Sequence, residues 1–335
     1  MAQRIGNFTV EYLSKPAVVG YGSVVGKREY EGPLSLEFDN HDNDSRFGEK
    51  SFEKAESRMQ KIALETALHK SGLNEKNIDI IFAGDLLNQC VGSSFGLRST
   101  DIQFAGIYGA CSTMALGIIM ASTFVECGAA KCAAAVTSSH FCSAERQYRY
   151  PLEYGSVRPQ SAQWTVTGAG ASILSTAAGK PYIDKACIGK IVDLGVKDAN
   201  NMGAAMAPSA ADTLINFFND TNTTPEDYDR IFTGDLGNTG SELLYILAEQ
   251  NGYKIREKHD DCGLMIFDRH RQDVHSGGSG CGCSGSVLNS YVYHGFEKGV
   301  FKNVIFMSTG ALLSPTSTLQ GESIPGISHL INIRI

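Results

Sequence analysis

Cys111 is the residue best placed to do chemistry. It lies in Gly109-Ala-Cys111-Ser112, where Ala105–Tyr108 reads as a strand end, Gly109 and Ala110 as a tight turn, and Ser112–Phe124 as a helix. A thiol at such a turn sits at a helix N-terminus, whose partial positive charge favours a thiolate or an anionic ligand. The competing reading is a packing thiol, since cysteine is among the most buried residue types. Cys281 and Cys283 stand in Ser276-Gly-Gly-Ser-Gly-Cys-Gly-Cys-Ser-Gly285. The glycines there, Gly278 among them, permit close backbone approach and leave peptide N–H groups able to hold an anion. The C-x-C spacing is not that of common zinc sites and has no matched second pair, so no metal is expected. Nor does the run open an early strand–helix unit with a later acidic partner, as a dinucleotide fingerprint requires.

Other polar residues fall near the same strand ends. His140, in Thr137-Ser-Ser139-His140, follows a strand and can return to the Cys111 end of a sheet, or be a hydrogen-bonded structural histidine. Asp85 and Asp235 sit just past two strand ends. They either position a ligand or cap the next turn through Asx bonding. Arg146 and Arg149, beside Tyr148 and Tyr150, could grip a carboxylate against a ring, or form surface ion pairs. His259-Asp-Asp-Cys-Gly263 resembles a catalytic cluster, but it precedes an expected strand Leu264–Phe267. Adjacent strand residues point to opposite faces and do not converge.

The elements that position these residues occur twice. Asp79-Ile-Ile-Phe-Ala-Gly-Asp-Leu-Leu-Asn-Gln89 and Asp229-Arg-Ile-Phe-Thr-Gly-Asp-Leu-Gly-Asn-Thr239 are identical at seven of eleven positions at an offset of 150. Before the first copy, apolar residues from Phe52 to Thr66 recur with helical spacing between a Ser51 cap and Gly72. Before the second, Ser209 opens a helix through Leu214 and Phe218. After each copy come a buried helix, from Ser112 or Ser284, and a strand, Cys132–Val136 or Val304–Met307. An alternating order of this kind implies mostly parallel sheets with helices on their faces. The duplication implies a pseudo-two-fold molecule, divided at 1–183 and 184–335, with its site between the halves.

Composition bounds the function. With 29 Lys+Arg against 36 Asp+Glu, the net charge is −7, which argues against nucleic acid as a partner. No apolar run reaches 18 residues, so no membrane span is expected, and the first residues lack the apolar core of a secretion signal. Nine cysteines, an odd number without such a signal, indicate reduced thiols.

The duplicated halves and the cysteine at the first buried helix resemble the thiolase and ketoacyl-synthase superfamily, an α/β fold of duplicated αβαβα layers. Within it the chain resembles the stage V sporulation protein AD family. The strings that carry this are Ala83-Gly-Asp-Leu-Leu-Asn-Gln89, Gly109-Ala-Cys-Ser-Thr113, Thr137-Ser-Ser-His140, Ala144-Glu-Arg-Gln147, Met206-Ala-Pro-Ser-Ala-Ala-Asp-Thr213, Gly277-Gly-Ser-Gly-Cys281 and Thr309-Gly-Ala-Leu-Leu-Ser-Pro315. The resemblance implies binding of dipicolinic acid (pyridine-2,6-dicarboxylate) for uptake into the developing spore. It also implies a place at the spore inner membrane beside membrane-embedded partners of the same stage V group, and a homodimer. The candidate ligand residues for it are Asp85, Asn88, Cys111, Ser139, His140, Arg146, Asp235, Gly278 and Cys281. No cofactor is expected, apart from Ca²⁺ arriving with the ligand and bridged by Asp85 and Asp235. Active condensing enzymes set their cysteine against histidine or asparagine helpers. Here Asp235 stands where the resemblance calls for histidine, and an anion beside Cys111 raises the thiol pKa. Cys111 is therefore expected to be a vestigial nucleophile. The alternatives are a Cys111-dependent acyltransferase and a structural subunit with a vestigial pocket.

Overall fold

The structure is a computed structural model whose described residues are 2–148 and 157–335. Ten strands form its frame: β1 (Ala17–Gly26), β2 (Ile80–Gly84), β3 (Gln103–Gly106), β4 (Cys132–Ser139), β5 (Gly168–Ser175), β6 (Tyr182–Ile188), β7 (Arg230–Thr233), β8 (His259–Asp261), β9 (Asn303–Ala311) and β10 (Gly326–Arg334). They run in the order β8-β7-β9-β10-β6-β1-β5-β4-β2-β3. Read outward from the middle, the first half is β1-β5-β4-β2-β3 and the second is β6-β10-β9-β7-β8, the same order displaced by five strands. In each half four strands run parallel and the last in sequence, β5 or β10, lies between them antiparallel to both neighbours. The halves touch edge to edge along β6, where Tyr182 pairs with Ala17 of β1 and residues 185–187 pair with Thr9–Glu11. The division expected between 183 and 184 falls inside β6.

The repeat extends to individual hydrogen bonds. An Asp79 carboxylate oxygen accepts the Lys131 and Cys132 N–H groups at 2.7 and 3.0 Å, tying the start of β2 to that of β4. Asp229 does the same for Lys302 and Asn303 at 2.6 and 2.8 Å, tying β7 to β9. An offset of 150 in sequence is thus an equivalence in space.

Helices cover and separate the sheets. They are α1 (Phe52–Ser71), α2 (Val91–Leu97), α3 (Thr113–Glu126), α4 (Phe141–Tyr148), α5 (Met202–Thr221), α6 (Gly237–Gln250) and α7 (Cys281–Val287). Three apolar clusters mark the layers between them. One joins Met114 and Ile118 of α3, Val287 of α7, Phe82 of β2, Phe232 of β7 and Phe306 of β9, so it lies between the two sheets. A second packs α1 under the first sheet, and a third packs α5 and α6 under the second. The result is five layers, αβαβα. Because α3 and α7 are enclosed on all sides, they are almost wholly apolar or small, rather than amphipathic.

Local boundaries follow their capping chemistry. Ser51 caps α1 by accepting the Lys54 N–H at 3.3 Å, and Gly72 ends it at φ 69. The second outer helix begins at Met202 with Asn201 as its cap, not at Ser209, and carries Pro208 inside. Buried neighbours on both sides hold the helix through the proline. The strand expected at Leu264–Phe267 is instead β8, followed by a short helix Cys262–Met265 that Asp261 caps.

Candidate functional site

Cys111 stands at the mouth of α3, where the two halves meet. Ala110 before it holds φ 50, a conformation a residue with a Cβ adopts only under local constraint. The constraint comes from the other half. Gly310 of β9 packs so closely on this turn that a Cβ there would lie 2.4 Å from the Gly109 carbonyl oxygen. The crevice above Cys111 is narrow, with a cavity volume of about 30 Å³, and is lined by Leu86, Tyr108, Tyr148, Met202 and Ser279. The Tyr108 and Tyr148 hydroxyls meet at 3.0 Å, and Tyr148 also donates to the Leu86 carbonyl. Apart from these hydroxyls and Ser279, its wall is largely apolar, and no Lys or Arg lines it among the described residues.

Below the crevice lies a buried carboxylate. Asp235 accepts the Ser279 hydroxyl at 2.9 Å and the Gly280 N–H at 2.8 Å on one oxygen, and the Thr309 hydroxyl at 2.7 Å on the other. Ser279 in turn lies 3.8 Å from the Cys111 sulfur. Burial, then the Asp235 charge, pushes the Cys111 thiol well above its ordinary value, and burial pushes Asp235 up as well. Burial and the neighbouring carboxylate outweigh the helix N-terminus, so the thiol form is favoured.

Asp235 is held by a relay from β8. His259 Nε2 lies 2.8 Å from the Thr233 hydroxyl, which donates at 2.6 Å to Asp261. Asp261 accepts the Leu236 and Gly237 N–H groups at 2.8 and 3.0 Å, fixing the turn that carries Asp235. His259 and Asp261 are two apart on β8 and share a face, whereas Asp260 points away and is half-buried. Burial pulls His259 down to about 3, so it is a neutral structural group.

The residues expected at the site fall into separate places. Cys111, Asp235, Cys281 and the Gly278 segment come together. Cys281 is buried and its thiol meets the Ser138 carbonyl at 2.9 Å, while the Gly278 carbonyl accepts Gln163 Nε2 at 2.9 Å. Ser139 is a strut between β4 and α7, donating to the Val166 carbonyl at 2.6 Å and accepting the Gly282 N–H at 3.1 Å. Asp85 does not mirror Asp235. It accepts the Leu87 N–H at 2.9 Å in an Asx turn, and the Ser93 N–H and hydroxyl at 2.7 and 2.6 Å. Both carboxylates are therefore already engaged, Asp85 by its own loop and α2 and Asp235 by the glycine loop and Thr309, which disfavours a shared cation. Among the described residues no group of three or more His, Cys, Asp and Glu is placed to hold a metal ion.

Asn88 and Arg146 line an outer groove beside Glu53, with which Arg146 pairs, and do not reach Cys111. His140 does not return to Cys111 either. Its Nδ1 accepts the Cys142 N–H at 3.1 Å, so Nε2 carries the proton and donates to the Ser45 carbonyl at 2.6 Å. It lines a different pocket with Phe141 and Trp164. The reason is a two-residue ribbon, Trp164–Thr165 paired with Gly278–Ser279, that walls the two spaces apart. Arg149 and Tyr150 lie outside the described residues. Tyr108, Ser279 and Met202 were not legible as site residues; only the position of Tyr108 directly before Gly109 gave a signal.

A duplicated five-layer α/β fold with a cysteine at the mouth of its first central helix defines the thiolase-like class. The chain is similar in fold to 3-oxoacyl-[acyl-carrier-protein] synthase III of Aquifex aeolicus, with a TM-score of 0.59 and 12% identity over 96% of this chain and 100% of that one. It is also similar to a variant of OleA from Xanthomonas campestris, with a TM-score of 0.60 and 11% identity over 98% of this chain and 100% of that one. Residues 6–334 match the family model of stage V sporulation protein AD. The stage V sporulation protein AD of Bacillus subtilis strain 168 is 44% identical over 308 residues, 92% of this chain and 91% of that protein. The chain belongs to the stage V sporulation protein AD family. Among the described residues, no helix is long and apolar enough to cross a membrane.

Proposed function

We propose that this sporulation protein binds dipicolinate without transforming it, and serves its uptake into the developing spore as a peripheral partner of membrane-embedded stage V proteins at the spore inner membrane. The observation that carries the non-catalytic part is the buried Asp235 beneath Cys111. A carboxylate whose three donors are already in place keeps the nearby thiol protonated, the reverse of what acyl transfer needs. The ligand is the one implied by the resemblance to the stage V sporulation protein AD family, which supports the reading. Isothermal calorimetry of the purified chain with dipicolinate tests it: saturable heat is expected, and none at millimolar ligand overturns the reading. Repeating the titration with a chelator tests calcium as co-cargo, since unchanged binding removes it.

The fold relatives favour one second reading, acyl transfer on Cys111. That reading requires a covalent acyl adduct in the intact mass after incubation with acyl-CoA, lost in Cys111→Ser. A homodimer through β3 is part of the proposal. Among the described residues β3 is a sheet edge with no outer partner, bearing the exposed Phe104, with the exposed Phe95 on neighbouring α2. Light scattering at the monomer mass would refute it.

A further inference from the structure

The outer face of α1 carries a row of cations in excess of the acids around it. Lys54, Arg58 and Lys61 recur at i, i+4 and i+7, which sets them on one side of the helix. Arg98, just past the end of α2, joins them across a groove of about 390 Å³ between the two helices. Gly96 shapes the groove. A Cβ there would lie 2.5 Å from the Ser57 carbonyl oxygen, so α2 rests directly on α1.

Little within the chain answers these charges. Lys61 pairs with Glu65 at 3.8 Å, an exposed contact of small weight. Glu53, next to Lys54, is taken by Arg146. Lys54, Arg58 and Arg98 form no ion pair among the described residues. Four cations therefore line the groove against one acid, Glu49, in a chain whose 36 Asp+Glu outnumber its 29 Lys+Arg. From Lys54 to Lys61 the row covers about 10 Å of helix axis, broader than a single phosphate.

The place of the groove suits a flat partner. α1 packs over β1 and β5 and α2 over β2 and β4, so the groove is set in from the β3 edge. Antiparallel pairing of two β3 edges has its two-fold axis normal to the sheet. The dimer proposed above would thus turn both grooves to one side.

We infer that this face of α1 and α2 is the surface by which the protein sits on a bilayer, with Lys54, Arg58 and Arg98 against the phosphates of anionic lipid headgroups. This rests on the peripheral-membrane part of the proposed function and gives it a face. Each Lys or Arg near an anionic surface is worth about fivefold in affinity.

Cosedimentation of the full chain with vesicles tests it. The wild type should bind vesicles of equal phosphatidylglycerol and phosphatidylcholine at low salt, ignore pure phosphatidylcholine, and come off as salt rises. Lys54→Gln/Arg58→Gln/Arg98→Gln should weaken binding on the order of a hundredfold. Lys254→Gln/Arg271→Gln/Lys302→Gln, which removes three exposed cations of the second half and reaches the same net charge, should bind like the wild type. Thermal melts report that both are folded, and calorimetric heat with dipicolinate should be the same in all three proteins. Equal weakening in the two variants would make the attraction one of net charge and overturn the assignment. Displacement by millimolar inorganic phosphate at matched ionic strength would mark a small-anion site and overturn it too. No binding of the wild type to anionic vesicles overturns the bilayer face, while saturable dipicolinate heat leaves the ligand reading standing. Absent heat with intact vesicle binding overturns the ligand reading alone.

Discussion

Replacing Glu29 by glutamine should change how stability depends on pH, by an amount the structure sets. Glu29 is 1% exposed, and burial raises its carboxyl from 4.5 to about 7. A raised folded-state value means that the native state prefers the protonated acid. Its contribution is fully present below pH 4.5 and is lost as pH rises through 7. Between pH 5 and pH 9 this one group removes about 2.5 kcal/mol. Unfolding entropy of roughly 2.1 cal/mol/K per residue converts that into about 3–4 °C of Tm for a chain this long. Glutamine keeps an oxygen for the Thr167 N–H, which Glu29 accepts at 2.9 Å, but cannot ionise. The difference in Tm, variant minus wild type, should therefore rise by about 3–4 °C across that range, whatever constant offset the amide introduces. Calorimetric melts in matched buffers measure it. Other buried acids titrate in both proteins and cancel in the difference. A flat difference from pH 5 to pH 9, or one that falls, would refute the argument that burial dominates at Glu29.

The duplicated aspartates give a paired test: Asp79→Asn and Asp229→Asn each weaken two backbone N–H contacts and should cost about 1–3 kcal/mol, similar in size, by urea unfolding. Markedly unequal losses would mean the two halves are not mechanically equivalent. Gly310→Ala places a Cβ 2.4 Å from the Gly109 carbonyl oxygen and should destabilise by about 1–3 kcal/mol, whereas an unchanged urea midpoint would show that the Cys111 turn yields freely. In native protein at pH 8, iodoacetamide should label the exposed Cys127 long before the buried Cys111, read by peptide mass spectrometry. Early labelling of Cys111 would contradict the protonated thiol.

The duplication was legible because it is written twice in one chain: the strings from Asp79 and Asp229 repeat, and the structure makes their carboxylates perform the same task. The elbow at Cys111 was legible because small residues between a strand and an apolar run leave few alternatives. Sequence symmetry misled at Asp85 and Asp235. Position alone made them equals, but Asp85 turns to its own helix α2, and Asp235 reaches the glycine loop of α7.

The sequence by itself determined the α/β class, the repeated halves and the superfamily, because periodicity, turns and strings are local properties of the chain. Only the tertiary structure decided which residues share a space. Whether His140 joins Cys111 depends on the ribbon pairing Trp164–Thr165 with Gly278–Ser279, a contact between segments more than a hundred residues apart. The same pairing turns Trp164 towards Arg28. Side-chain convergence at that range is set by packing of the two halves, and no local pattern encodes it.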